Sequence, residues 1–270
     1  MDAKLQLRVQ RYGWDAAAPH YEEGWQNALL DAQKTMIRMA EFDAGQRVIE
    51  TACGSGLVTR MISDAVGPEG GVLATDLSQE MVNATGALAL ENVSTARMGV
   101  EKLAVEEASF DRAVCALGLM YSPDPLQAVS EMYRALRPGG RASATVWGER
   151  RNCGWAEVFP IVDRHVKSEV CPMFFASGVP GALKRDFEHA GFIEIEEHRQ
   201  SKLLEFRSAR ALLDAVLLGG PVALAVKRFD EATMKQVENE FLESVAGFAQ
   251  NEAYKIPGEF VTVSGLRAKQ

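Results

Sequence analysis

Two carboxylates and a pair of glycines carry the clearest chemical signal in the chain. Glu50 closes the run Arg47-Val48-Ile49 and precedes Thr51-Ala52-Cys53-Gly54-Ser55-Gly56, a turn of small residues. Leu57-Val58-Thr59-Arg60-Met61-Ile62 then opens a helical pattern. A strand, a tight turn and a helix start form the arrangement with which open α/β sheets bind nucleotide-like ligands. Asp76, 20 residues beyond Gly56, ends a second apolar run, Val72-Leu73-Ala74-Thr75. A carboxylate there can accept hydrogen bonds from both hydroxyls of a ribose. Together the two elements read as a nucleoside pocket.

The turn narrows the choice of nucleoside. A dinucleotide site uses Gly-x-Gly-x-x-Gly, with the pyrophosphate on the helix N-terminus. Gly54 and Gly56 fit the first two positions, but Thr59 stands at the third. Glu50 before the turn would repel a pyrophosphate and suits a cationic ligand. S-adenosylmethionine carries both an ammonium group and a sulfonium.

Val48 to Gly56 resembles the first motif of class I S-adenosylmethionine-dependent methyltransferases, an acid followed by a glycine-rich or Ala-Cys-Gly-x-Gly turn. Further matches follow in order. They are Asp76, the fourth-strand run Phe110-Asp111-Arg112-Ala113-Val114-Cys115-Ala116, the turn Arg134-Ala135-Leu136-Arg137-Pro138-Gly139-Gly140-Arg141, and Phe187-Glu188-His189-Ala190-Gly191-Phe192 in the last helix before the final hairpin. The resemblance covers roughly residues 40–205 and is similar to the small-molecule subgroup of the ubiquinone/menaquinone-biosynthesis type. It implies an α/β fold: a Rossmann-like, seven-stranded, mostly parallel sheet with an antiparallel last strand, helices on both faces and a helical cap.

The resemblance also implies roles. Glu50 would hold the methionine ammonium, with Ala52, Gly54, Ser55 and Gly56 letting the backbone approach the methionine part. Asp76 would hold the ribose, with Leu77 and Met81 against the adenine. Ala116 and Leu117 would line the sulfonium side, and Met120-Tyr121 would face both ligands. Gly99, Val100 and Glu101 occupy the loop in which the family usually carries an Asp toward the adenine amino group; here Gly99 or Val100 replaces it. The implied cofactor is S-adenosyl-L-methionine, and the implied reaction is in-line transfer of its methyl to oxygen, nitrogen or carbon of a small acceptor. A nicotinamide-dependent oxidoreductase and a non-catalytic S-adenosylmethionine-binding protein are the competing classes; Glu50, Thr59 and the lack of a Tyr-x-x-x-Lys pair speak against the former.

An acceptor that must lose a proton needs a base. His20 is the candidate, ahead of His165; His189 and His198 read as surface residues. Trp14, Tyr21, Trp25, Tyr121 and Trp147, with Phe174-Phe175, are candidates for an aromatic or moderately hydrophobic substrate pocket.

The net charge of −8 argues against a nucleic-acid partner, which clustered Lys and Arg would serve. No apolar run is long enough to span a bilayer and no signal-peptide pattern opens the chain, so a cytoplasmic enzyme is expected. Cys53, Cys115, Cys153 and Cys171 form no Cys-x-x-Cys pair, and no metal site is expected. At 270 residues one elaborated domain is the simplest partition. Its core takes in about 41–150, 176–207 and 256–270, and its cap 1–40, 151–175 and 208–255. The cap's apolar faces could also form a homodimer surface.

Strands are expected near 46–52, 71–76, 94–98, 110–116, 141–147, 192–206 and 259–267. Pro19 is expected to split residues 1–40 into two helices. Further helices are expected over 57–66, 79–91 from an N-cap at Ser78, and 125–137.

Overall fold

The computed structural model describes residues 3–166 and 174–269. Eight strands form one sheet: β1 (Arg47–Thr51), β2 (Gly71–Asp76), β3 (Val93–Arg97), β4 (Phe110–Ala116), β5 (Leu136–Trp147), β6 (Ile193–Phe206), the two-residue β7 (Ala249–Gln250) and β8 (Ala253–Leu266). Their order is β3-β2-β1-β4-β5-β8-β6, with β7 beside β8. β1 to β5 pair in parallel, and β8 is antiparallel to both β5 and β6. Val48, Ile49, Glu50 and Thr51 are all buried, as in a parallel strand covered on both faces.

The helices are α1 (Ala3–Ala40), α2 (Leu57–Val66), α3 (Gln79–Gly86), α4 (Pro125–Ala135), α5 (Val158–His165), α6 (Ala182–Ala190), α7 (Ala209–Leu213), α8 (Ala223–Val226) and α9 (Glu231–Ser244). A π-helical turn, Asp214–Leu218, follows α7. The starts of α3, α4, α7 and α9 are capped by Ser78, Asp124, Ser208 and Asp230, whose side chains accept the N–H three residues on. Cys171 lies outside the described residues; Cys53, Cys115 and Cys153 are free and buried.

Four elements depart from expectation. Residues 3–40 form one helix, not two. Pro19 removes one backbone donor, but both flanks are fixed: Ala16 and Ala17 pack on Ala223, and the Trp25 indole bonds the Ala215 carbonyl at 2.9 Å. α3 stops at Gly86 rather than near 91. Beyond it Asn92 Nδ2 donates to Ser63 O and Gly67 O, which ties the chain to the end of α2. α4 stops at Ala135, and β5 begins at Leu136; its register jumps from Phe110↔Leu136 to Arg112↔Arg141, so the Pro138-Gly139 stretch bulges within a strand. β8 begins at Ala253, so residues 253–255 belong to the sheet, not to a cap.

α1 crosses the molecule as a cover. It lies against β5, β6 and β8, against α3, and against the π-helical turn and α8. One of its faces therefore closes whatever opens at the carboxyl ends of the parallel strands.

Candidate functional site

β1 and β4 end side by side, and the chain turns sharply after each. Ala52 (φ 54°) and Leu117 (φ 60°) both carry side chains in the left-handed region, where only glycine is free of strain. A Cβ on Gly118 would lie 2.3 Å from Ala52 Cβ, so glycine alone lets the two turns meet. Gly54 (φ 57°) and Gly56 (φ 88°) complete the first turn, and Gly56 starts α2. Non-glycine strain is thus held at two adjacent strand ends, the crevice where open α/β sheets bind ligands.

Asp76 ends β2 beside this turn. Its Oδ2 accepts the Gly54 N–H at 3.0 Å and its Oδ1 the Ser78 N–H at 2.8 Å. Burial raises its carboxyl to about 6 against the pull of these bonds. Ser78 Oγ also donates to Asp15 Oδ1 at 2.6 Å, which fastens α1 to the loop after β2. Glu50 lies deeper, 1% exposed, and its Oε2 accepts the Thr59 hydroxyl at 2.6 Å. Burial, with a smaller contribution from Asp76, raises Glu50 to about 8 despite the Thr59 bond.

A cavity opens over these strand ends, with about 650 Å³ of space when its open mouth is counted. Of the expected cofactor residues, Ala52, Gly54, Asp76, Leu77, Met81, Gly99, Val100, Ala116 and Leu117 line it. Glu50, Ser55, Gly56 and Glu101 do not. Glu101 Oε1 instead accepts the Ser122 hydroxyl and the Asp124 N–H. Gly56 packs under Leu88 and Thr85. The roof is α1: Leu7, Gln10, Trp14 and Tyr21, at helical spacing, complete the lining together with Gly118, Tyr121 and Ser122.

A second cavity of about 310 Å³ adjoins the first. All five expected substrate residues, Trp14, Tyr21, Trp25, Tyr121 and Trp147, line it, with Leu29, Leu117, Met120, Trp155, Gly220 and Pro221. Trp14, Tyr21, Tyr121 and Leu117 belong to both linings. Trp14 meets Tyr121 edge-on at 4.9 Å and Tyr21 at 5.7 Å, forming the partition. Burial and the Asp76 charge push the Tyr21 hydroxyl well up, so it stays protonated. Phe174 and Phe175 stand behind this wall, on Trp155.

His20 is exposed and lines neither cavity. Successive helix residues are about 100° apart, and Tyr21 takes the inner face, so His20 turns outward. Its expected role as base is not supported by its place. His165 stands against Phe229 and is in neither lining, and His189 and His198 are exposed. Sequence reasoning missed Leu7, Gln10, Gly118, Ser122, Leu29, Trp155 and the Gly220-Pro221 turn. The α1 residues were readable: 7, 10, 14, 21, 25 and 29 mark one face of a continuous helix, a pattern hidden by assuming a break at Pro19.

Residues 48–140 match the model of a methyltransferase domain. A demethylmenaquinone methyltransferase of Listeria welshimeri is 30% identical over 148 residues, 53% of this chain and 62% of the relative. A demethylmenaquinone methyltransferase of Staphylococcus aureus is 30% identical over 167 residues, 56% of this chain and 69% of the relative. The chain belongs to the class I S-adenosylmethionine-dependent methyltransferases. The chain spans 62% of the length of the first of these relatives. Its fold is shared with the YcgJ protein of Bacillus subtilis, at a TM-score of 0.60 and 18% identity over 89% of this chain and all of that one. No helix among the described residues is long and apolar enough to cross a membrane.

Proposed function

We propose that this chain transfers a methyl group from S-adenosylmethionine, held in the larger cavity, to a small aromatic or moderately hydrophobic acceptor in the smaller one. The observation that carries the reading is Asp76: a buried carboxylate, oriented by the Gly54 and Ser78 N–H groups, faces a cavity beside the apolar Leu77, Met81 and Val100. Each of its oxygens keeps acceptor capacity for a ribose hydroxyl. Glu50, which burial keeps protonated up to about 8 in the ligand-free chain, would ionise to complement a ligand ammonium, and Ala52 and Gly54 allow close approach of the backbone. The net charge of −8 supports a small-molecule partner rather than nucleic acid, and three unpaired buried thiols suit a reducing compartment such as the cytoplasm. The names of the relatives support a quinone-like acceptor.

S-adenosylmethionine supplies an activated methyl on a positively charged sulfur, which retains the bonding pair when the acceptor takes the methyl. The chain supplies alignment and dryness. Trp14, Tyr21, Tyr121 and Leu117 separate the two cavities while touching both, so they can press an acceptor against the ligand at the strand ends. Such positioning contributes on the order of 7–11 kcal/mol in well-oriented reactions. No carboxylate or imidazole lines the smaller cavity among the described residues, so the reading places the rate enhancement in orientation and desolvation, not in proton removal.

Calorimetric titration with S-adenosylmethionine, S-adenosylhomocysteine and NAD(H) tests it. Micromolar binding of the two adenosyl ligands and none of NAD(H) is the expected outcome. Binding of NAD(H) alone overturns the proposal.

A further inference from the structure

Trp155 is 1% exposed and forms part of the wall of the smaller cavity. Its ring meets Trp25 at 5.7 Å and Trp147 at 5.0 Å. Within this cluster two buried indoles differ in one respect. Trp25 Nε1 donates to Ala215 O at 2.9 Å and to Gly219 O at 3.1 Å. Trp155 Nε1 is buried and has no hydrogen-bond partner. Buried donors are almost always paired, because an unmade bond leaves the full desolvation cost standing. Trp155 belongs to the cavity wall, and its unpaired indole N–H is a donor that an acceptor atom brought by a ligand would satisfy.

The remaining wall restricts that ligand. Trp14, Tyr21, Leu29, Met120, Trp147 and Pro221 carry no charge, so an ionised ligand would be buried without a counter-ion. Flat aromatic walls favour a flat aromatic guest.

We infer that the smaller cavity selects an uncharged, planar aromatic acceptor carrying a hydrogen-bond-accepting oxygen, and that Trp155 Nε1 donates to that oxygen. This rests on reading the cavity as the acceptor's. Trp155 is then a specificity-determining residue that fixes the ring's orientation and takes no part in bond making.

The test uses the full chain with nitrogen-15 in its indoles and two probes of one heavy-atom skeleton, acetophenone and isopropylbenzene. The Trp155 indole signal, assigned by its loss in Trp155→Phe, should move with acetophenone and far less with isopropylbenzene. Acetophenone should bind Trp155→Phe roughly 3- to 10-fold more weakly than the unsubstituted chain, the size of one neutral hydrogen bond, while isopropylbenzene binds both alike. Equal responses to the two probes, a silent Trp155 signal, or failure of both to bind overturns the inference. If Trp155→Phe does not fold, the four indole signals of the unsubstituted chain still decide, because one must discriminate the probes. Calorimetry of the same sample with S-adenosylmethionine separates the two readings. Absence of its heat with a responding indole sinks methyl transfer and leaves the donor; its heat with a silent indole sinks the donor alone.

Discussion

The two cavities are built by different means. The floor of the larger is set by backbone: two left-handed turns after β1 and β4, a Gly118 contact no other residue allows, and N–H groups that aim Asp76. The smaller is made of side chains, six of them aromatic, drawn from α1, the turn after β4, the end of β5 and the segments around Trp155 and Gly220. A backbone site is fixed once the sheet forms and offers little room for variation. A side-chain site can be resized by single substitutions. The difference places ligand-independent geometry at the strand ends and specificity under the cover.

Substitutions in each region should therefore leave the other's ligand untouched. The largest effect is expected for Asp76→Ala, which removes a charged acceptor from two hydroxyls. Calorimetry should show S-adenosylmethionine binding weakened by about 100-fold or more, with acetophenone binding unchanged. A loss shared by both ligands would break the comparison.

Glu50→Gln should weaken S-adenosylmethionine binding by roughly tenfold through the lost charge, yet raise the melting temperature of the ligand-free protein. The sign follows from burial. Glu50 in the native chain holds its proton up to about 8, whereas in the unfolded chain it ionises near 4.5. The unfolded state therefore binds fewer protons over that window, and this group makes stability fall as pH rises from 4.5 to 8, then level off. The melting-temperature gap between Glu50→Gln and the unsubstituted chain should widen from pH 5 to pH 8, read by thermal melts. An ammonium ligand favours the ionised form, so affinity should rise with pH toward 8, and the substitution should flatten that rise.

Trp25→Phe removes the bonds to Ala215 O and Gly219 O and should cost about 1–3 kcal/mol in denaturant unfolding, mostly from the stranded carbonyls. S-adenosylmethionine affinity should not change. His20→Ala should change neither affinity nor turnover, since its side chain faces outward; a slowed methyl transfer in a radiolabel assay would restore it as the base.

The strand-end region was legible because its signals are local. β2 and β4 occupy the expected 71–76 and 110–116, each an apolar run bounded by a turn or an acid. Ser78 caps α3 as its type and place require. Thr59 was read only as a missing glycine, although its hydroxyl clamps Glu50. The aromatic region was legible in composition but not in arrangement. Trp155 carries no motif, and its neighbour Trp25 is 190 residues from the Ala215 carbonyl it bonds. Propensity could not show that α1 runs through Pro19, because packing on both flanks decides it. The chemistry of His20 suits a base, but the facing of α1, which composition does not show, turns it to solvent.

Four residues serve as walls of both cavities. Any shift of Trp14, Tyr21, Tyr121 or Leu117 that one guest induces is felt by the other. The two binding equilibria are then thermodynamically linked, and linkage is reciprocal: whatever factor the first guest applies to the affinity of the second, the second returns to the first. Under the proposed reading, the affinity of each chamber for its guest is thereby tuned by a shared partition rather than by either chamber alone.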